Sequence, residues 1–178
     1  MTGLPRIELD IAQGEEPWGK IVIELDEDKA PATVRNFLQY VDDGFFDQTI
    51  FHRTIPTFMI QGGGYAAPNE AKRKGLRDPV ENEAAQGLKN RRGTIAMART
   101  GAPHSATSQF FINVADNSML DHPAHDGWGY CAFGKVAEGM EVVDRIKDVP
   151  TQPNPEMGGE NSQPLHPPLI KTARRVEG

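Results

Sequence analysis

The stretch "FHRTIPTFMIQGGG", residues 51–64, places one cation, Arg53, among Phe51, Phe58 and Met59, and it ends in three consecutive glycines. It contains no carboxylate. A guanidinium is always charged and carries a rigid fork of N–H donors. Beside an apolar floor, such a group suits a ligand that combines an apolar part with a strong hydrogen-bond acceptor.

The same stretch predicts two short strands, and similar patterns recur along the chain. Alternating or β-branched apolar residues mark eight strand candidates, at 6–12, 19–27, 50–55, 58–63, 94–99, 108–114, 130–136 and 169–176. No regular helical crossovers separate them. This argues against a doubly wound parallel sheet and favours an antiparallel barrel or sandwich that carries helices at its ends.

Two segments have the period of a helix. In 30–44, apolar residues fall at i, i+3, i+4 and i+7, Pro31 suits the first turn and Gly44 suits the C-terminal cap. The second helix is predicted over 138–149, where Pro150 ends it. Residues 65–92 and 150–167 are rich in Pro, Gly, Asn and charge and predict long surface loops.

The bulk composition restricts the class of protein. A chain of 178 residues fits one domain, here taken as 1–178. The net charge of −6 disfavours binding to nucleic acid or anionic lipid. A single cysteine, Cys131, suits a reducing compartment, and neither a secretory signal nor an apolar run of membrane-spanning length is present. We therefore expect a cytoplasmic monomer.

Several familiar kinds of chemistry fit the sequence poorly. The basic runs 72–77 and 89–92 have no interleaved aromatic residues and predict solvated loops. "HPAHD" (122–126) spaces two histidines without further ligands, so we expect no metal and no cofactor. "QGGG" (61–64) lacks the spacing of a phosphate-binding loop. The serines Ser105 and Ser108, with His52 or His104 as base, lie in no nucleophile elbow.

The segment "SQFFINV" (108–114) raises a question of orientation. In a strand, Gln109 and Phe111 point to one face and Phe110 to the other. If Phe110 lies in the core, Gln109 and Phe111 are free to line a groove. The alternative places both phenylalanines inside a barrel, and the spacing alone favours neither arrangement.

At these residues the chain resembles the cyclophilins, the family of peptidyl-prolyl cis–trans isomerases. The matching segments follow the family order and are "FHRTIPTFMIQGG", "GTIAMART", "SQFFINVADN" and "GWGYCAFGKVAEGMEVVDRI". "NEA", "TIAMARTG" and "WGYCAFG" resemble the bacterial branch. The resemblance implies a mainly β fold: a closed eight-stranded antiparallel β-barrel capped by two α-helices, with an active groove on its outer face.

The resemblance also implies roles for individual residues. Arg53 matches the catalytic arginine, and the positions implied in substrate binding are Phe58, Met59, Gln61, Ala98, Arg99, Thr100, Gln109, Phe111, Met119, Leu120 and Tyr130. Eukaryotic members carry tryptophan where this chain has Met119, and often histidine where it has Tyr130. The expected substrates are proline-containing peptides and unfolded or client proteins, and cyclosporin is expected to bind only weakly.

Two other functions compete with isomerisation of Xaa-Pro bonds. One is a proline-peptide-binding or chaperone-like module with little turnover. Such a module would not need Arg53 beside the proline ring of its ligand. The other is a phosphate-ligand enzyme built on 61–64, which would require a helix starting just after Gly64. The loop 66–78 departs from the family pattern, so the contacts of the family loop do not transfer to it.

Overall fold

A closed barrel of eight antiparallel strands forms the body of the protein. The computed structural model describes residues 3–177. The barrel strands are β1 (Arg6–Gln13), β2 (Glu16–Leu25), β3 (Thr49–Ile55), β4 (Met59–Gly62), β7 (Thr94–Met97), β8 (Phe110–Asn113), β9 (Ala132–Glu138) and β12 (Leu169–Val176). They close in the order β1-β12-β3-β4-β8-β7-β9-β2. All eight predicted barrel strands are confirmed, with ends shifted by up to three residues.

Apolar side chains fill the interior of the barrel. Along β1 and β2, alternate residues are fully buried, including Ile7, Leu9, Ile21 and Ile23, and Leu9 lies opposite Ile21 across the pair. A small barrel filled in this way leaves no room for a ligand inside. Any binding site must therefore lie on the outer surface or at the ends.

Two helices pack against the barrel, as predicted. Helix α1 (Pro31–Asp42) buries Val34, Phe37, Leu38 and Val41, the four positions of the predicted apolar face. Helix α2 (Met140–Lys147) buries Val143 and Ile146. Among residues 3–177, no helix has the length and apolar character needed to cross a membrane.

Two small hairpins lie in the segments that the sequence predicts as loops. The first pairs β5 (Tyr65–Ala67) with β6 (Glu70–Ala71), and the second pairs β10 (Thr151–Asn154) with β11 (Glu160–Pro164). The prediction of long surface loops over 65–92 and 150–167 therefore missed these two short hairpins. Neither hairpin has an alternating apolar pattern, because neither has one face in the barrel core.

The glycines of "QGGG" allow two strands to approach closely. Gly63 has φ +85°, and a Cβ at this position would lie 2.9 Å from the ring of Phe110, closer than real Cβ contacts. The chain continues from Gly64 directly into β5. Because no helix begins there, the reading of this stretch as a phosphate-binding loop is wrong.

Candidate active site

Three adjacent strands align Arg53, Gln61 and Phe111 in one row across the barrel wall. Arg53 on β3 lies opposite Gln61 on β4, and Gln61 lies opposite Phe111 on β8. The row continues to Ala96 on β7. Since directly opposite residues of neighbouring strands point to the same face, the four side chains share one surface.

Arg53, Gln61 and Phe111 of this row line a cavity of about 320 Å³ on the outside of the barrel. It is lined by Arg53, Phe58, Met59, Gln61, Ala98, Arg99, Phe111, Leu120, Tyr130 and Met157. Met59, Ala96, Phe111 and Ala132 form a buried apolar cluster separate from the barrel core, and Phe58, Leu120 and Tyr130 pack against it. The structure thus brings together Arg53 and eight of the eleven binding residues that the resemblance implies.

The remaining three lie beside this cavity. Thr100 and Gln109 line a second cavity of about 210 Å³, which shares Gln61, Ala98 and Arg99 with the first. Met119 lines neither cavity. It lies in a short 3-10 helix, Ser118–Leu120, with 61% of its surface exposed.

Arg53 is held by a carboxylate from a distant part of the chain. Its Nε donates to Glu160 Oε1 at 2.8 Å and its Nη2 to Glu160 Oε2 at 3.1 Å, while Nη1 donates to Gln61 Oε1 at 3.1 Å. The amide of Gln61 donates in turn to Gln109. Hydrogen bonding from Arg53 lowers the pKa of Glu160, so Glu160 is ionised near neutral pH. No sequence pattern indicates Glu160 or Met157, which lie in the same hairpin.

The side chain of Arg99, one of the positions that the resemblance implies in substrate binding, is buried. Its side chain is 3% exposed and pairs with Asp126, and it donates to the carbonyl of Gly129. The guanidinium lies 4.5 Å from the centre of the Tyr130 ring. Tyr130 meets Phe111 edge-on at 5.9 Å. Arg99 therefore supports the tyrosine that forms one wall of the cavity.

Three buried asparagines tie the walls of the cavity together. Asn117 donates to the carbonyl of Phe58 and to Asn113, Asn113 donates to Asn90, and Asn90 donates to the carbonyl of Tyr130. Asparagines in a strand and two loops give no sequence signal of such a network, since their meeting depends on the closed fold. Satisfied buried networks of this kind rigidify a site.

The alternative nucleophiles are engaged elsewhere. Ser108 Oγ donates to the carbonyl of Gly63, and Ser105 Oγ donates to the carbonyl of Ala102. His104 Nδ1 accepts from the backbone of Asn82, and burial lowers the pKa of His52 to about 4. No serine–histidine pair occurs between residues 3 and 177, and within that range no three His, Cys, Asp or Glu side chains cluster closely enough to hold a metal ion.

The geometry defines a class of protein. A shallow groove on a rigid wall offers an apolar floor, amide donors and acceptors, and a fixed cation. Within residues 3–177, neither Ser105 nor Ser108 is hydrogen-bonded to a histidine. Such a site fits an enzyme that binds an extended peptide and catalyses a change of conformation without covalent chemistry.

Comparison with known proteins identifies the family. The model for "cyclophilin type peptidyl-prolyl cis-trans isomerase/CLD" matches residues 8–175. The chain is 51% identical to peptidyl-prolyl cis-trans isomerase A of Dickeya dadantii over 159 residues, covering 89% of this chain and 80% of that protein. It is 58% identical to isomerase B of Escherichia coli over 135 residues, covering 75% and 81%. A third relative, isomerase cyp18 of Streptomyces antibioticus, is 50% identical over 158 residues, covering 88% and 92%.

The chain belongs to the cyclophilin family and is a peptidyl-prolyl cis-trans isomerase. Its substrates are therefore proline-containing peptides and proteins. The predicted likeness to the bacterial branch is confirmed, since all three relatives are bacterial.

Proposed function

We propose that isomerisation takes place in the outer cavity and that Arg53 is the catalytic residue. One observation carries the proposal: a guanidinium with 18% of its side chain exposed stands at the edge of an apolar pocket of the size of a proline ring and its neighbours. Among residues 3–177, two of its five N–H donors have no hydrogen-bond partner, so they are available to a substrate.

Rotation about a peptide bond makes and breaks no covalent bond. The barrier of about 18–20 kcal/mol is the loss of amide resonance. In the twisted transition state the prolyl nitrogen regains its lone pair and accepts a hydrogen bond more strongly. A donor aimed at this nitrogen, or at the adjacent carbonyl as it turns, binds the transition state more tightly than either ground state. Arginine suits this task, because it stays charged at every working pH.

The apolar floor binds the proline ring. Phe58, Met59, Phe111 and Leu120 line one side of the cavity, and burial of the ring is worth about 1.5–3 kcal/mol. Cis and trans substrates benefit alike, so this burial improves affinity and adds little to the rate. Gln61, Ala98, Arg99, Thr100, Gln109 and Tyr130 are proposed to hold the peptide on either side of the ring.

Arg53 alone does not account for the whole acceleration. A gain of about 10⁵ in rate corresponds to about 7 kcal/mol, whereas one charge-assisted hydrogen bond contributes about 1.5–3 kcal/mol. The remainder must come from a peptide oriented on both sides of the rotating bond in a preformed groove. The asparagine network and the Arg99–Tyr130 contact provide such rigidity.

The test is a protease-free isomerisation assay on an Xaa-Pro peptide with Arg53→Ala. We expect kcat/KM to fall at least about tenfold, equivalent to about 1.4 kcal/mol, while the fold is retained. Arg92→Ala is a matched control, because Arg92 also forms a two-bonded ion pair, with Asp144, but lies outside the groove. A folded Arg53→Ala variant of unchanged activity would remove Arg53 from the mechanism.

A module that only binds proline-containing peptides would differ from an isomerase in one measurable way. If the chain only captured proline segments, Arg53→Ala would leave the rate per bound peptide unchanged. The guanidinium beside the ring favours catalysis, because capture of an apolar ring gains nothing from a charged donor.

We further propose one domain that acts as a cytoplasmic monomer on unfolded or client proteins, without nucleic acid or membrane partners. The acidic net charge of −6 supports the last point. Burial raises the pKa of the single cysteine, Cys131, to about 11, so a reactive thiolate or a disulfide is disfavoured there. Cyclosporin is expected to bind more weakly than to eukaryotic relatives, since Met119 stands where they carry tryptophan.

A further inference from the structure

Glu160 and Arg53 come from separate parts of the fold and form a bidentate ion pair, with two hydrogen bonds between them. The carboxylate accepts from Nε and Nη2 of the guanidinium, at 2.8 and 3.1 Å. The two side chains are 33% and 18% exposed. Parallel hydrogen bonds of this kind fix the orientation of a guanidinium as well as its position.

The pair occupies one edge of the guanidinium, and each terminal nitrogen keeps one N–H without a partner among residues 3–177. A guanidinium has five N–H donors. Glu160 takes two and Gln61 takes a third, which leaves two, one on each Nη. The free donors therefore lie on the terminal nitrogens, which a substrate in the cavity can reach.

Glu160 itself stands on an ordered support. It begins β11 and lies opposite Asn154 of β10. Asn154 is 2% exposed, donates to Ser162 and accepts from the backbone N–H of Glu156. A carboxylate on a paired strand is held more precisely than one on an open loop.

We propose that Glu160 is a positioning residue that holds Arg53 in the orientation required for amide rotation. An arginine without such a partner samples many rotamers and must be ordered during each turnover. A partner that orders it in advance removes this cost from the transition state. Since a partly exposed ion pair adds little to stability, the pair affects turnover more than folding. The inference rests on the proposed catalytic role of Arg53.

If Glu160 instead inhibited the enzyme, its removal would change the activity in the opposite direction. If Glu160 acted as a latch that competed with substrate for the guanidinium, its removal would release donors and raise activity. The two remaining N–H donors of Arg53 argue against this, because a substrate can bind them without displacing Glu160.

The first experiment compares Glu160→Ala, Glu160→Gln and the control Glu156→Ala, measuring kcat and KM separately. We expect kcat of Glu160→Ala to fall about tenfold with KM changed less than about twofold. Glutamine can accept one of the two hydrogen bonds, so Glu160→Gln should retain more activity than alanine. Glu156 lies on the same hairpin but forms no ion pair with Arg53 in the described residues, so Glu156→Ala should behave like the wild type.

The second experiment combines Glu160→Ala with Arg53→Ala. If Glu160 acts only through Arg53, its removal has no further effect once Arg53 is absent. Thermal melts of Glu160→Ala should lie within about 4 °C of the wild type. The inference is overturned by unchanged or raised kcat in Glu160→Ala, by an equal loss in Glu156→Ala, or by an independent loss in the double variant. Full activity in Arg53→Ala alone would instead refute the catalytic role of Arg53.

Discussion

Phe110 and Phe111 are neighbours in the chain but lie on opposite sides of the barrel wall. Phe110 points inward, where its ring meets those of Phe37 and Phe46 edge-on, each at 5.6 Å. Phe111 points outward into the cavity, where it meets Tyr130. The alternative that placed both rings inside the barrel is therefore wrong, and the two positions should respond differently to truncation.

Phe110→Ala should cost about 3–5 kcal/mol of unfolding free energy, because it leaves a cavity in the barrel core. Phe111→Ala should cost less, since solvent can enter the space, but it should raise KM for proline peptides. Urea unfolding and peptide titration measure the two effects. A milder effect of Phe110→Ala on stability would mean that strand β8 does not face the barrel as described.

Protonation of His52 should destabilise the fold in acid. Its ring stacks on Tyr65 at 4.2 Å, and its Nδ1 is buried without a partner among the described residues. Burial, together with the charge of Arg53, lowers the pKa of His52 from 6.5 to about 4. Between these values the unfolded chain binds a proton that the folded chain does not. Stability should fall by about 3 kcal/mol as the pH drops from 6.5 to 4.

Carboxylates also titrate in part of this pH range. A variant must therefore isolate the contribution of His52 to the pH dependence of stability. Urea unfolding of His52→Gln should show a shallower pH dependence than the wild type, whatever its stability at pH 7. His125→Gln, at an exposed position, should follow the wild-type slope. Equal slopes for all three proteins would exclude His52 as the source.

Chelation should leave activity unchanged, because amide rotation needs no Lewis acid. Isomerisation assays before and after dialysis against EDTA make the comparison. Activity lost to the chelator and restored by added zinc would show that a metal takes part.

Met119→Trp should strengthen cyclosporin binding while leaving proline isomerisation close to that of the wild type. A thioether cannot donate a hydrogen bond, whereas an indole N–H can, and one such bond is worth about 0.5–1.5 kcal/mol, or roughly tenfold in affinity at most. Met119 is exposed beside the cavity and does not line it, so the proline pocket should not depend on it. Drug titration of the wild type, Met119→Trp and Met119→Leu tests this, the last as a control without a donor. If Met119→Trp binds cyclosporin no more tightly than the wild type, position 119 does not determine drug affinity.

The barrel was predictable because its strands carry a strong local signal. Each has one face in an apolar core, and the resulting alternation is visible along β1 and β2. The period of α1 and its limits at Pro31 and Gly44 are equally local. The alternation within 108–114 also restricted Phe111 to one face, although only the fold decided which face lies outside.

The support around Arg53 was not predictable from the same signals. Glu160 lies 107 positions from Arg53, in a segment of glycine, proline and polar residues without periodicity. Its pairing with Arg53 depends on a hairpin whose two strands have four and five residues. These strands are too short and too polar to be predicted from the sequence. The burial of Arg99 has the same origin, since Asp126 and Gly129 meet it only after the chain has closed.

Neither β10 nor β11 belongs to the barrel, and this separation has an evolutionary consequence. We expect insertions, deletions or charge changes in the hairpin to leave the register of the barrel strands intact while they alter the surroundings of Arg53. If Glu160 positions Arg53 as proposed, copies of the gene can diverge in turnover at this hairpin while they share one unchanged barrel. For the same reason, exchanging the hairpin between relatives is a practical way to engineer new variants of the enzyme.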